Sequence, residues 1–199
     1  MSSSPRAEGL RERKKAKTRR TIQEHALRLF AEQGYEATTV EQIAEAAEIS
    51  PSTFFRYFPT KEDVAVQDAY DPALAAALAA QPADLTPVAA VRATVSAVLE
   101  GFPEDEESQV LTRTRLQLKH TALRARAVDS MTTTIGMLAE GIAERLGRDT
   151  TDPLSRATAG AVAGVLLAAV FAWAEADGAR RLADVTDEAL GLLEAGLRP

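Results

Sequence analysis

Two helix starts and two helix stops are crowded into one segment, Thr39–Lys61, TVEQIAEAAEISPSTFFRYFPTK. Thr39 and Gln42 have the S/T-x-x-E/Q spacing of a capping box, which starts a helix at Val40. Val40, Ile43, Ala44 and Ala47 fall at i, i+3, i+4 and i+7, a single apolar stripe, and the helix ends near Ala47. Ser50 before Pro51 is the second start. The serine caps free N–H groups, and proline suits the first helical position, where its missing N–H had no partner. Phe54 and Phe58, at i and i+4, turn to a core and leave Pro51, Ser52, Phe55, Arg56 and Tyr57 on the opposite surface. Pro59 stops this helix, and Thr60 caps another that opens with Lys61, Glu62 and Asp63. A helix, a tight turn and a second short helix make a helix-turn-helix, the device that sets a helix in the DNA major groove.

Charge agrees once it is divided along the chain. The net charge is −6, which by itself argues against nucleic acid. Residues 1–61, however, hold 11 Lys/Arg against 8 Asp/Glu, and the first 20 residues hold 8 against 2. The remainder holds 12 against 21. A basic end on an acidic body gives one face for phosphates and another kept off them. Beside a helix-turn-helix, RERKKAKTRR reads as an arm on the DNA backbone rather than a solvated tail.

From about Thr18 to Val66 the chain resembles the TetR family of bacterial transcriptional regulators. The resemblance lies in an amphipathic first helix, then GYEATTVEQIA, SPSTFFRYF and PTKEDV in that order, over about a quarter of the chain. Three positions depart from the common pattern. Glu48 and Ser52 stand where Gly is frequent, and Phe55 where Tyr is frequent. Phe55 donates no hydrogen bond but can pack on a thymine methyl. The resemblance implies that Pro51, Ser52 and Phe55 lie nearest the base edges, with Ser50 capping the same DNA-binding helix and Arg56 on a phosphate or guanine. It implies that Tyr57 and Lys61 hold phosphates, and that Thr39, Lys17 and Arg19 lie near the backbone.

The rest of the chain reads as helices punctuated by Pro and Gly, with no alternating strand pattern. The first runs from Leu10 or Lys14 to Gln33, with Ile22, Ala26, Leu29 and Phe30 as its core stripe. The fourth spans Lys61 to Ala80 with an irregularity at Asp71-Pro72. Five more cover Pro87–Leu99, Glu104–Lys119, Leu123–Leu146, Pro153–Ala176 and Leu182–Leu197. The expected fold is all-α with about nine helices: a basic arm (1–17), a three-helix DNA-binding domain (18–64) and a ligand-binding and dimerisation domain (65–199).

For this last domain the resemblance implies a cavity for a small-molecule effector, apolar or acyl-CoA-like. Its candidates are Arg113, Gln117, Met131, Thr134, Met137, Phe171 and Trp173. A homodimer interface is expected along Gly160, Ala163, Gly164, Leu167, Ala168 and Phe171, where small residues allow close helix approach, with Val185, Ala189 and Leu192 as a second face. The uncharged run Ala157–Trp173 is long enough to raise the question of a membrane. Ala and Gly dominate it and Arg156 and Glu175 flank it, so it reads as a buried helix of a soluble protein.

Cysteine is absent, and His25 and His120 stand far apart, so neither a metal nor a cofactor is expected. No nucleophile–base pair or phosphate loop is legible, which sets aside an enzyme. The polar, basic N-terminus shows no secretory signal, and the Arg- and Ala-rich composition suits a high-GC bacterium and a cytoplasmic protein. The expected function is a ligand-released homodimeric repressor on a pseudo-palindromic operator in double-stranded DNA. The alternative is an all-α ligand-binding or interaction protein without DNA binding.

Overall fold

The computed structural model describes residues 5–66, 76–102 and 105–198, with side chains from Lys14 onward. Among the described residues there is no strand, and nine helices are bounded: α1 Pro5–Gln33, α2 Val40–Ala46, α3 Pro51–Tyr57, α4 Lys61–Val66, α5 Pro87–Glu100, α6 Glu106–Lys119, α7 Thr121–Leu146, α8 Pro153–Glu175 and α9 Leu182–Glu194. Residues 76–79 are helical as well. The chain is all-α. α1 starts earlier than its apolar stripe indicated, and α9 stops at Glu194 rather than Leu197. The Asp71-Pro72 irregularity and the side chains of the arm before Lys14 lie outside the described residues.

The chain divides into two compact units, Met1–Ala69 and Tyr70–Pro199. In the first, α1 packs on α2 and α4, and α2 packs on α3. Ile22, Ala26, Leu27 and Phe30 of α1 are buried, as are Ile43, Ala44, Phe54, Phe58 and Val64 on the other helices and caps of this unit. Leu27 takes the buried place expected of Leu29, which is half-buried. Buried Gln23 ties α1 to α4 by donating from Nε2 to the Val64 carbonyl at 2.9 Å. Thr60 and Asp63 cap α4 reciprocally: the carboxylate accepts from the Thr60 N–H and hydroxyl, both at 2.9 Å.

In the second unit α8 lies against α7 and α9, and α9 against α5. One cluster joins Leu78, Ala90, Val91, Ala139, Ile142, Val162 and Leu190; a second forms around Trp173 and Leu182. Local chemistry repeats at the helix starts. Thr86 caps α5 and Asp152 caps α8 through their side chains, each followed by Pro at the first position, as Ser50 and Pro51 do for α3. α9 has no cap of its own. Glu107 of α6 supplies one, accepting from the Leu182 N–H at 2.5 Å. Arg92 of α5 forks onto Asp187 of α9 with two 2.7 Å bonds and reaches Glu194 at 3.2 Å.

Candidate nucleic-acid interface and ligand cavity

α3 is built to show one face and hide the other. Ser50 accepts from the Thr53 N–H at 3.1 Å and Pro51 occupies the first position. Phe54 and Phe58 are wholly buried, their rings 5.9 Å apart. Pro51, Ser52, Phe55 and Arg56 are exposed, and Tyr57 is half-buried. Phe55 is 50% exposed, a large aromatic surface presented outward while its ring edge rests on Phe54. The guanidinium of Arg56 lies 5.5 Å from the centre of the Tyr57 ring. The turn before the helix passes through Glu48 at φ +54°, the left-handed region. That conformation is why glycine suits this position.

The remaining DNA candidates carry structural duties. Thr39 and Gln42 close the capping box, with the Thr39 N–H donating to Gln42 Oε1 at 2.9 Å and the Gln42 N–H to Thr39 Oγ1 at 3.2 Å. Lys61 Nζ donates to the carbonyls of Tyr35 (2.9 Å) and Thr38 (3.0 Å) and sits 4.2 Å from the Tyr35 ring centre. Two of its three donors thus hold the α1–α2 turn. Tyr35 in turn donates to Glu62 at 2.6 Å. Burial, the bond to Glu62 and that carboxylate's charge all push the Tyr35 hydroxyl up. For Glu62, burial acts upward, but the bonds from Tyr35, its own backbone N–H and Thr60, with Lys61 nearby, carry the carboxyl below its usual range. Arg19 stacks 4.6 Å over Phe58 and reaches the Tyr57 carbonyl at 3.4 Å, bracing the end of α3. Lys17 is exposed on α1.

The second unit contains a cavity of about 500 Å³. Val91, Thr94 and Val95 of α5, Leu166 of α8 and Leu78 supply much of its wall. α7 lines it with Thr134, Met137, Leu138, Glu140, Gly141, Glu144 and Arg145. Gly141 lets Leu78 come close, since a Cβ there would stand 3.2 Å from Leu78 Cδ2. Of the seven effector candidates, Thr134 and Met137 line this cavity and five do not. Trp173 is buried in the other cluster, its Nε1 donating to the Arg180 carbonyl at 2.8 Å, so it packs rather than lines. Arg113 is buried on α6, and both it and Gln117 are engaged in interactions of their own. Met131 and Phe171 are half-buried outside the lining. The sequence held a signal for the residues missed: Met137, Gly141 and Glu144 share one helical face at i, i+4 and i+7, with Glu140 beside them.

Comparison with known proteins draws the two units together. Residues 22–67 match the family model described as bacterial regulatory proteins, tetR family, and residues 85–198 match the MftR C-terminal domain. The regulator TcmR of Streptomyces glaucescens is 41% identical over 157 residues, which cover 75% of this chain and 70% of TcmR. The chain belongs to the TetR family. As a TetR-family protein it is a DNA-binding transcriptional regulator. A putative mycofactocin biosynthesis regulator, MftR of Mycobacterium tuberculosis (strain ATCC 25618 / H37Rv), is 28% identical over 188 residues, 93% of each chain. Among solved structures, the repressor FadR of Thermus thermophilus in complex with lauroyl-CoA superposes with a TM-score of 0.56 at 29% identity, covering 91% of this chain and 95% of that one.

α8 leaves much of its apolar surface uncovered within the chain. Among the described helices it alone is long and apolar enough to cross a membrane, with a mean hydropathy of 1.9 over 18 residues, and one side of it packs against α7 and α9. Only a third of that window is buried. Gly164 and Ala168 are exposed, while Gly160, Leu167 and Phe171 are half-buried. A Cβ at Gly160 or Gly164 would meet nothing within 4 Å. Ala163, expected on the same stripe, is buried in the unit's own core, because α8 is apolar all round and periodicity alone does not say which side faces in. On α9, Val185 and Ala189 are half-buried and Leu192 is 51% exposed.

Proposed function

We propose that this regulator is a ligand-released homodimeric repressor acting in the bacterial cytoplasm. The reading rests above all on the exposed face of α3, fixed from behind by buried Phe54 and Phe58. In this reading Pro51, Ser52 and Phe55 approach the base edges, with Ser50 capping their helix. Arg56, with its planar fork, takes a guanine or a phosphate. Tyr57, the third donor of Lys61, Thr39, Lys17 and Arg19 serve the phosphate backbone, with the arm of residues 1–17 beside them. Residues 18–64 are then the DNA-binding domain and 65–199 the effector and dimer domain.

The exposed small-residue stripe of α8, with Leu192 of α9, supports a homodimer through a four-helix contact. Two-fold symmetry calls for a pseudo-palindromic operator with half-sites roughly one turn of DNA apart. The cavity beside α7 supports a small apolar effector, and the lauroyl-CoA bound by the Thermus relative makes an acyl-CoA-like molecule one candidate class. The test is fluorescence anisotropy of labelled DNA from upstream of the protein's own gene, at two salt concentrations. Salt-sensitive, saturable binding that prefers this DNA over a scrambled duplex is expected. Equal affinity for both duplexes would sink the operator assignment.

A further inference from the structure

Charge around the cavity narrows what it can hold. Among the described residues three ionisable side chains line it: Glu140, Glu144 and Arg145, all on α7. Arg145 is the sole cation among them, and its guanidinium already has partners. Nη1 donates to the Gln81 carbonyl at 3.0 Å and reaches that of Leu78 at 3.5 Å. Nη2 donates to the Pro82 carbonyl at 2.6 Å and the Leu85 carbonyl at 3.4 Å. Turning the fork to an anionic ligand would strip these carbonyls, so it serves as a brace for the 78–85 turn. Glu140 and Glu144 are exposed carboxylates one helical turn apart, and among the described residues neither is ion-paired. Val91, Val95 and Leu166 give the same cavity an apolar wall, and Met137 lines it with a flexible thioether, a side chain that adapts to irregular shapes.

From this we infer that the cavity selects an apolar molecule carrying a basic nitrogen, seated with its cation toward Glu140 and Glu144, and disfavours acyl-CoA and other anions. The volume lies within the roughly 300–1,000 Å³ of small-molecule sites, and its apolar wall takes the body of such a ligand. Coenzyme A brings several negative charges to a rim that has two carboxylates and a preoccupied arginine. The inference rests on the proposed effector role of this cavity and goes beyond it by giving the ligand's charge.

The test uses decylamine, decanol, decanoate and lauroyl-CoA, all below their aggregation limits, titrated calorimetrically into the full chain near neutral pH. Decylamine should bind tightest, then decanol, with decanoate and lauroyl-CoA weakest. Glu140→Gln with Glu144→Gln should weaken decylamine about tenfold, because two rim carboxylates each contribute modestly through solvent, and leave decanol unchanged. Val95→Trp, or Thr134→Trp should the first fold poorly, should abolish binding of all four and so place them in the cavity. Equal or tighter binding of decanoate or lauroyl-CoA overturns the inference, as does an unchanged decylamine affinity in the double variant or no binding at all. Operator affinity of the unsubstituted protein is read in the same samples. Glutamate-dependent decylamine binding without any change in operator affinity would keep the charge selection and remove the effector role. Equal release of DNA by amine, alcohol and acid would do the reverse.

Discussion

Lys61 has a structural duty beside the DNA-binding one proposed for it. The sequence places it at the start of the helix after α3, where the family resemblance implies a phosphate contact. The structure adds that its ammonium satisfies two carbonyls of a turn 23 and 26 residues earlier. No local spacing rule links residues so far apart, so that duty was not legible, whereas the Thr39–Gln42 capping box was, because both partners lie within one helical turn. Lys61→Met keeps the apolar stem and removes the donors. It should lower stability by about 1 kcal/mol in urea melts and reduce the salt slope of operator binding by about one unit. A stability loss with an unchanged salt slope would leave Lys61 as a brace only. Glu48 gives a second expectation. Its φ of +54° is unfavourable for a residue with a Cβ, and Glu48→Gly should stabilise the protein by about 1 kcal/mol in thermal unfolding. Glu62 supplies a pH dependence. Its carboxyl is held below the usual range in the folded state, so the stabilisation is present above the unfolded pKa and is lost as pH falls through the folded one. Tyr35→Phe removes one of the bonds that hold it there and should flatten this acid limb of the stability–pH curve.

At the scale of elements, the starts of helices were the most legible features and their inward faces the least. Ser50-Pro51 and Asp152-Pro153 carry a cap and a first-position proline in adjacent residues, and the structure uses both. α3 could also be oriented from sequence, because Phe54 and Phe58 are its only i, i+4 aromatic pair with a polar surround. α8 could not, since Ala, Gly, Val and Leu occupy every side and the covered face depends on α7 and α9. The same composition explains why it satisfies a membrane criterion while one side of it packs against α7 and α9. The open space at Gly164 separates folding from assembly: a larger side chain there meets nothing within the subunit. Gly164→Leu should therefore keep the helical content and melting behaviour of the monomer while sedimentation shifts from dimer to monomer. A stable dimer in that variant would move the interface off this stripe.

At the scale of the molecule, the proposed regulation requires that a ligand in one unit alter DNA binding by the other. A ligand shifts such an equilibrium only through its differential affinity for the DNA-competent and DNA-incompetent states. A hundredfold difference per site corresponds to about 2.7 kcal/mol, within the range of known couplings. The division into a basic end and an acidic body was visible in the sequence, because charge adds along the chain. The cavity was not, because its wall is assembled from α5, α7, α8 and the 78–83 segment, which only folding brings together. Trp173 shows the consequence. As the single Trp it would be a natural reporter of a bound ligand, but it lies in the separate cluster with Leu182, and its emission should stay constant while the cavity fills. Coupling is instead measured by reciprocity. If the ligand weakens operator binding by some factor, saturating operator DNA must weaken ligand binding by the same factor. Calorimetric titration of the ligand into the free protein and into the protein–operator complex should give dissociation constants whose ratio equals the ratio of operator affinities with and without ligand. Ligand affinities that are identical in the two titrations would mean that the cavity and the DNA site are independent.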